Sequence, residues 1–359
     1  MGGTDPGVEP GIDPGVDPGF VHHACLYGTD EEFLATALPF ALDGLAAGEP
    51  VLAATTPANI ELLRRALGER AGELGTAETA YFGRRPVERV SAFLRYHDRR
   101  SRPGRRLRIL AEPVWAGKSA RQIAEWKRME SGLNVLLAGL PVRMICPYDT
   151  RAVPGDIAHA ARATHPARVD GRLVTPCAEF TDPEAYAAAV PPPRLPAPPG
   201  AARTGPTGRL AEIRSFARDR AGAAGLRGER LGLAVLGVCE AAGYLLAGGG
   251  VRLGVRAWEE PGTLVYELLG APVAPVPAFA GFRPPGAEPH PEDGLWLART
   301  IGESLDVHVL GDLVRLTLCV AGPRASNAGE AEFSPSGAWG PGSGAGAPER
   351  VTRCAARPP

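Results

Sequence analysis

The chain has 359 residues, a formal net charge of -1 and 22% charged residues, so it is long enough for two folded units and gives no electrostatic reason to expect nucleic acid or an anionic membrane as partner. The six cysteines, Cys25, Cys146, Cys177, Cys239, Cys319 and Cys354, show no CxxC or metal-ligand spacing, which suits the reduced thiols of a cytoplasmic protein and excludes a disulfide framework. Basic residues are almost all arginine, with Lys118 and Lys127 the only lysines, a coding bias without functional content.

The chain opens without a charged-then-apolar signal segment. Residues 1–20 instead carry the tetrapeptide repeat DPGV, EPGI, DPGV, DPGF, which denies both helix and ladder pairing and reads as a disordered leader. From 21 to 190 apolar runs alternate with helical patterns, the order of a parallel α/β sheet of RecA-like or related doubly wound type. Thr29-x-x-Glu32 forms a capping box for a helix whose Phe33, Ala37, Leu38, Ala41, Leu42 and Leu45 share one face and which Gly48 ends. The pattern then predicts a strand at Val51 to Thr55, a helix near Ala58 to Leu67, a strand at Ala80 and Tyr81 and a helix near Pro86 to His97. Strand Leu107 to Ala111, helix Ser119 to Asn134, strand Val142 to Cys146 and a short helix from Asp156 complete the alternation. Residues 191–208 are proline-rich enough to act as a semi-extended spacer. A second unit is expected over 209–321, and 322–359, rich in Gly, Ser, Ala and Pro, as a disordered tail.

Once laid out this way, residues 21 to about 182 resemble the MEDS sensory domain, a RecA-like module of bacterial signalling proteins. The resemblance is carried by His22 or His23 with Tyr27 and Asp30, by Gly44 to Pro50, and by Glu112-Pro-Val-Trp115-x-Gly117-Lys-Ser119. Glu130 with Asn134, Cys146-Pro-Tyr-Asp149 and Thr164-His-Pro166 complete it. It implies a sensory pocket for a small molecule or a protein state. His22, His23, Glu112, Trp115 and Glu130 are its candidate lining: Trp115 offers an aromatic face, and Glu112 and Glu130 offer polar anchors.

Two other chemistries are tested against the same stretch. Gly117-Lys118-Ser119 lacks the earlier glycine of a phosphate loop and has Glu112 and rigid Pro113 there, which would repel phosphate. His22 and His23, near the expected end of a strand, find no partner at ligand spacing among His97, His159 and His165, so no metal is expected. The arginines between Arg99 and Arg108 flank Pro103 and Gly104 without interleaved aromatics, so they form a solvated turn.

In the second unit, Leu231 to Val251 is long enough to span a bilayer. Glu240 at its midpoint, several glycines, and Arg230 and Arg252 at its ends mark it as a buried core helix instead. Glu240 and Tyr244 stand at i and i+4 of that helix, on one face. The strand LVYELLGAP ends with Gly270 and Pro272, Gly294 to Leu297 reads Gly-Leu-Trp-Leu, and Gly311-Asp312 precedes the last strand. These elements resemble the histidine-kinase-like (GHKL) ATPases, in particular the anti-sigma-factor serine kinases, and imply a two-layer α/β sandwich.

In that family a Glu orients or deprotonates the nucleophile, an Asn four residues on holds Mg²⁺, an Asp accepts from adenine, and a glycine turn opens a helix suited to phosphate. Here Tyr244 stands at the Asn and Gly270 at the Asp, so the shell of Glu240, Tyr244, Gly270, Gly294 and Leu295 implies a degenerate nucleotide site and no cofactor, ATP and Mg²⁺ being the group's own. A phenol is too bulky for the octahedral shell of Mg²⁺. The two resemblances together imply a cytoplasmic signal-transduction regulator whose second module binds a sigma factor or a STAS-type anti-sigma antagonist. The alternative is an ATP-dependent serine/threonine kinase of the anti-sigma type, with Glu240 as base.

Overall fold

The computed structural model of the chain describes residues 19–190, 195–247, 252–271 and 275–322. The repeats of the leader up to residue 18, the tail from 323, residues 191–194 of the proline-rich segment, and Pro272 lie outside the described residues.

The first half is a seven-stranded sheet in the order β3-β2-β4-β5-β1-β6-β7. Its strands are β1 (Val21–Tyr27), β2 (Val51–Thr55), β3 (Gly75–Glu78), β4 (Leu107–Ala111), β5 (Val142–Asp149), β6 (Ala167–Asp170) and β7 (Leu173–Pro176). All neighbours pair in parallel except β6 and β7, so the doubly wound α/β sheet expected from the alternation is present. Side chains alternate across it. Val51, Ala53, Leu110 and Ile145 pack beneath α1 (Asp30–Ala46) and α2 (Pro57–Leu67). Leu52, Ile109, Met144 and Cys146 face α3 (Pro86–Arg100), α4 (Ala120–Leu136), α5 (Gly155–Thr164) and α6 (Pro183–Ala189).

Local chemistry explains the helix starts. The Thr29 hydroxyl accepts from the Glu32 amide and Glu32 reaches back to the Gly28 amide. Ser119 and Gln122 cap α4 reciprocally. Two expectations need correction. The strand placed at Ala80 and Tyr81 lies at Gly75–Glu78, an edge strand with no buried side chain, so its sequence carries no alternation to read, and Tyr81 is exposed. His22 and His23 open β1 rather than end it.

The second half is a five-stranded sheet, β11-β12-β10-β9-β8, antiparallel throughout. It comprises β8 (Ala202–Arg203), β9 (Gly254–Glu260), β10 (Thr263–Gly270), β11 (Ser304–Leu310) and β12 (Leu313–Ala321). One face carries α7 (Leu210–Ala223), α8 (Gly228–Leu246) and α9 (Asp293–Ile301) over a core that includes Ile213, Val238, Tyr266, Leu295 and Leu316. The other face holds Trp258, Val265 and Cys319, covered by Leu195, Ala197 and Ala201. The segment read as a spacer therefore packs on this sheet and supplies its edge strand. α8 buries one face, while Leu233 and Leu236 on the other are 40% and 39% exposed. No helix among the described residues is long and apolar enough to cross a membrane.

The two sheets share one interior. Phe279 and Phe282, in the loop before α9, belong to the core of the first half, and Phe279 lies against Gly132 of α4, where a Cβ would meet the ring at 2.7 Å. Arg299 of α9 donates to Glu125 of α4 at 2.7 Å and to the Ala280 and Leu305 carbonyls, with both charged side chains buried. Arg283 donates to the Leu136 carbonyl, Arg121 pairs with Asp306, and the Trp296 indole donates to Ser91. Helix α4 is thus held between the parallel sheet and the second half.

Candidate functional site

Four polar side chains converge beneath α4. His22 is the second residue of β1, and the parallel register sets Ala24 beside Cys146 of β5. His22, Ala24 and Cys146 therefore point to the same face, His22 one pleat from the cysteine. Glu130 descends from α4, and His165 follows the end of α5. The residues are 2%, 1%, 2% and 0% exposed for His22, Cys146, Glu130 and His165. His22 Nε2 is 3.3 Å from Cys146 Sγ and 3.8 Å from Glu130 Oε2, and His165 Nε2 is 3.8 Å from the same oxygen. One ligand-capable atom from each of the four lies within 4.8 Å of every other.

The hydrogen-bond network fixes which way these rings are protonated. Asn134 gives its Nδ2 to the carbonyls of Ser131 and Thr164, so its Oδ1 must be the acceptor facing His22 Nδ1 at 3.2 Å. His22 Nδ1 therefore carries the proton, and its Nε2 lone pair points at the cluster. His165 Nδ1 faces the Ala161 carbonyl at 2.7 Å; a carbonyl only accepts, so here too Nδ1 is protonated and the Nε2 lone pair points inward. Glu130 Oε2 and His165 Nε2 have no hydrogen-bond partner although both are buried. Burial pushes the Glu130 carboxyl up to about 7 and holds His165 down to about 3. Burial, then His165, keeps His22 well below its usual value, and burial, then Glu130, raises the Cys146 thiol.

An aromatic shell surrounds the group. Phe20 stacks on His22, Tyr148 meets His165 edge-on, and Trp115 stacks on Tyr148. Of the five residues expected to line a sensory pocket, the structure brings His22 and Glu130 together, with Trp115 one ring away. Glu112 sits apart, at the end of β4, where its carboxylate accepts from the Tyr27 hydroxyl and the Asn59 amide, each at 2.9 Å, and from Thr55. The buried Arg89 donates to the Glu112 carbonyl. His23 leads the opposite way along the pleat. In the Gly117-Lys118-Ser119 segment, the Lys118 ammonium lies over the Trp126 ring at 4.5 Å, engaged in a cation–π contact.

The expectation that His22 lacks ligand-type partners does not hold in three dimensions. Spacing missed the cluster because its members come from four elements. Cys146 and His165 were visible only as parts of the Cys146-Pro-Tyr-Asp149 and Thr164-His-Pro166 motifs.

In the second half, Glu240 and Gly294 meet: a Cβ on Gly294 would lie 3.0 Å from Glu240 Oε2 and 3.1 Å from its carbonyl oxygen. The glycine lets α8 and the start of α9 touch, and the Glu240 carboxylate takes up the space there. Tyr244 is half-buried and packs against the helix-side core, Leu295 is fully buried, and Gly270 ends β10 opposite Val314.

Residues 21–166 match the family model of MEDS, the methanogen/methylotroph, DcmR sensory domain. That span contains β1 through α5 and all four members of the cluster. It gives the first half the character of a sensory domain in a signal-transduction protein. No curated protein matches the chain.

Proposed function

We propose that this chain is a two-part signal-transduction regulator in which the state of the first half is passed through α4 to the second, and the second acts by binding a protein. The observation that carries the reading is the double engagement of α4. Glu130 belongs to the buried cluster and Asn134 orients its His22, while Glu125, Gly132 and Leu136 of the same helix are held by Arg299, Phe279 and Arg283. A shift of Glu130 therefore moves groups that the second half grips, since packed interiors transmit displacement rather than absorb it.

For the second half the partner proposed is a sigma factor or a STAS-type anti-sigma antagonist. Support comes from the pattern of Glu240, Gly294 and the helix-on-sheet layer, and from the groups now at the nucleotide positions. Tyr244 brings a phenol where Mg²⁺ needs a compact oxygen, and Gly270 brings no adenine acceptor. Losing either contact weakens nucleotide binding by about 1 to 3 kcal/mol, up to about a hundredfold. A kinase reading instead uses Glu240 as base, and the two are separated by isothermal titration with Mg²⁺-ATP. The binding reading expects no heat; micromolar affinity would favour the kinase. Two-hybrid pairing of the full chain with the sigma factors and STAS proteins of its own genome tests the partner, and absence of any pairing would remove it.

A further inference from the structure

We infer that His22, Glu130, Cys146 and His165 are the four ligands of a buried site for a divalent transition-metal ion of the zinc class. Tetrahedral coordination at metal–ligand lengths of about 2.0–2.3 Å places neighbouring ligand atoms about 3.3–3.8 Å apart. The three separations here are 3.3, 3.8 and 3.8 Å. The donor set selects the class of ion: a sulfur and two imidazole nitrogens suit zinc-like ions and not Mg²⁺ or Ca²⁺, which take oxygen.

Proton counting leads to the same place. With both Nδ1 protons committed outward, two imidazole lone pairs, a carboxyl and a thiol share at most two protons, one on sulfur and one on carboxyl. The result is visible as the unpaired Glu130 Oε2 and His165 Nε2. A buried acceptor without a donor is destabilising, and these atoms face one another instead of a donor. A dication answers all four at once. Binding releases the thiol and carboxyl protons to solvent, and the resulting thiolate and carboxylate offset the two positive charges of the ion.

The surroundings match those of metal-bound histidines, whose second nitrogen is held by a carbonyl or amide oxygen. Here Ala161 and Asn134 hold it. With four protein ligands and no solvent exposure, the site is closed, so the ion fixes α4 against β1, β5 and the end of α5 rather than activating water. This goes beyond the partner-binding reading and is read on the chain alone. A chain that binds metal but no sigma factor loses only the earlier proposal, and the reverse holds equally.

The test is titration of the full-length, chelator-stripped, reduced protein with Co²⁺ alone, followed by Zn²⁺. The site predicts saturation at one ion per chain, intense visible bands of four-coordinate cobalt, a near-ultraviolet thiolate-to-cobalt band, and displacement by Zn²⁺. Cys146→Ser should abolish the thiolate band, and Glu130→Gln and His165→Ala should each weaken binding by about 10–100-fold or more, while Cys177→Ser should change nothing. Because variants of a buried cluster can fail to fold, X-ray absorption of the zinc-loaded wild type supplies an independent check. One sulfur at about 2.3 Å and three lighter ligands near 2.0 Å are expected. A folded wild type that shows only the weak bands of six-coordinate cobalt, or no sulfur around zinc, would overturn the site.

Discussion

The two halves of the molecule each hold a carboxylate on a central helix, Glu130 on α4 and Glu240 on α8, and the contrast between their surroundings is informative. Around Glu130 stand His22, Cys146 and His165, with Tyr148 and the buried Arg89 guanidinium also acting on the carboxylate, and a second layer of amide and carbonyl oxygens orients the two imidazoles. Around Glu240, among the described residues, no such set of polar groups gathers: the half-buried Tyr244 packs against the core, Gly270 presents no side chain, and Gly294 brings α9 against the carboxylate. A functional site is recognised by the oriented layer behind its ligands as much as by the ligands. The first region has that layer and the second does not.

The largest effect is expected where the halves meet. Arg299→Met leaves Glu125 buried without its partner, so urea denaturation should show a loss of about 3–5 kcal/mol. The double variant with Glu125→Met should recover much of it; if the single variant melts like wild type, the joint is not what couples the regions. Next, zinc at a hundredfold above its Kd should stabilise the chain by about 2.7 kcal/mol, read as a rise in Tm that Glu130→Gln removes. Mg²⁺-ATP should give no such rise, and a nucleotide-induced shift of similar size would erase the contrast between the regions.

Gly132→Ala is a finer probe. Helix propensity alone favours alanine by about 1 kcal/mol, but the added methyl meets the Phe279 ring at 2.7 Å. Overpacking of about 1–3 kcal/mol should win, giving a lower denaturation midpoint; a stabilised variant would mean that the loop before α9 yields freely. The smallest effect is expected from Tyr244→Asn combined with Gly270→Asp, which should restore weak Mg²⁺-ATP binding by calorimetry. A folded double variant still blind to nucleotide would count against an inherited pocket.

The parallel sheet was legible because β2, β4 and β5 are predominantly apolar runs and because Thr29 and Ser119 mark helix starts by side-chain chemistry that is local in sequence. The edge strand β3 was not, since a four-residue strand without buried side chains has no period. Helix α4 was legible as a helix but not as the centre of the molecule. Glu130 was expected as a polar anchor of a pocket, but nothing in the sequence marks Glu125 and Arg128 of the same helix as buried, because the partner of Glu125, Arg299, is far along the chain. The cluster itself depends on strand register, which sets Cys146 beside Ala24, and no spacing rule encodes that. Phe279 and Phe282 were hidden for the same reason: an apolar pair in a loop names no partner.

Hydrogen–deuterium exchange on the full chain, stripped and then zinc-loaded, with Glu130→Gln alongside, tests most directly whether α4 joins the buried cluster to the second half. The account predicts that zinc slows exchange in α4, in the loop from Phe279 to Arg283 and at the start of α9, and that Glu130→Gln abolishes the effect. Protection confined to the strands and turn that carry His22, Cys146 and His165, with no change in the second half, would contradict it.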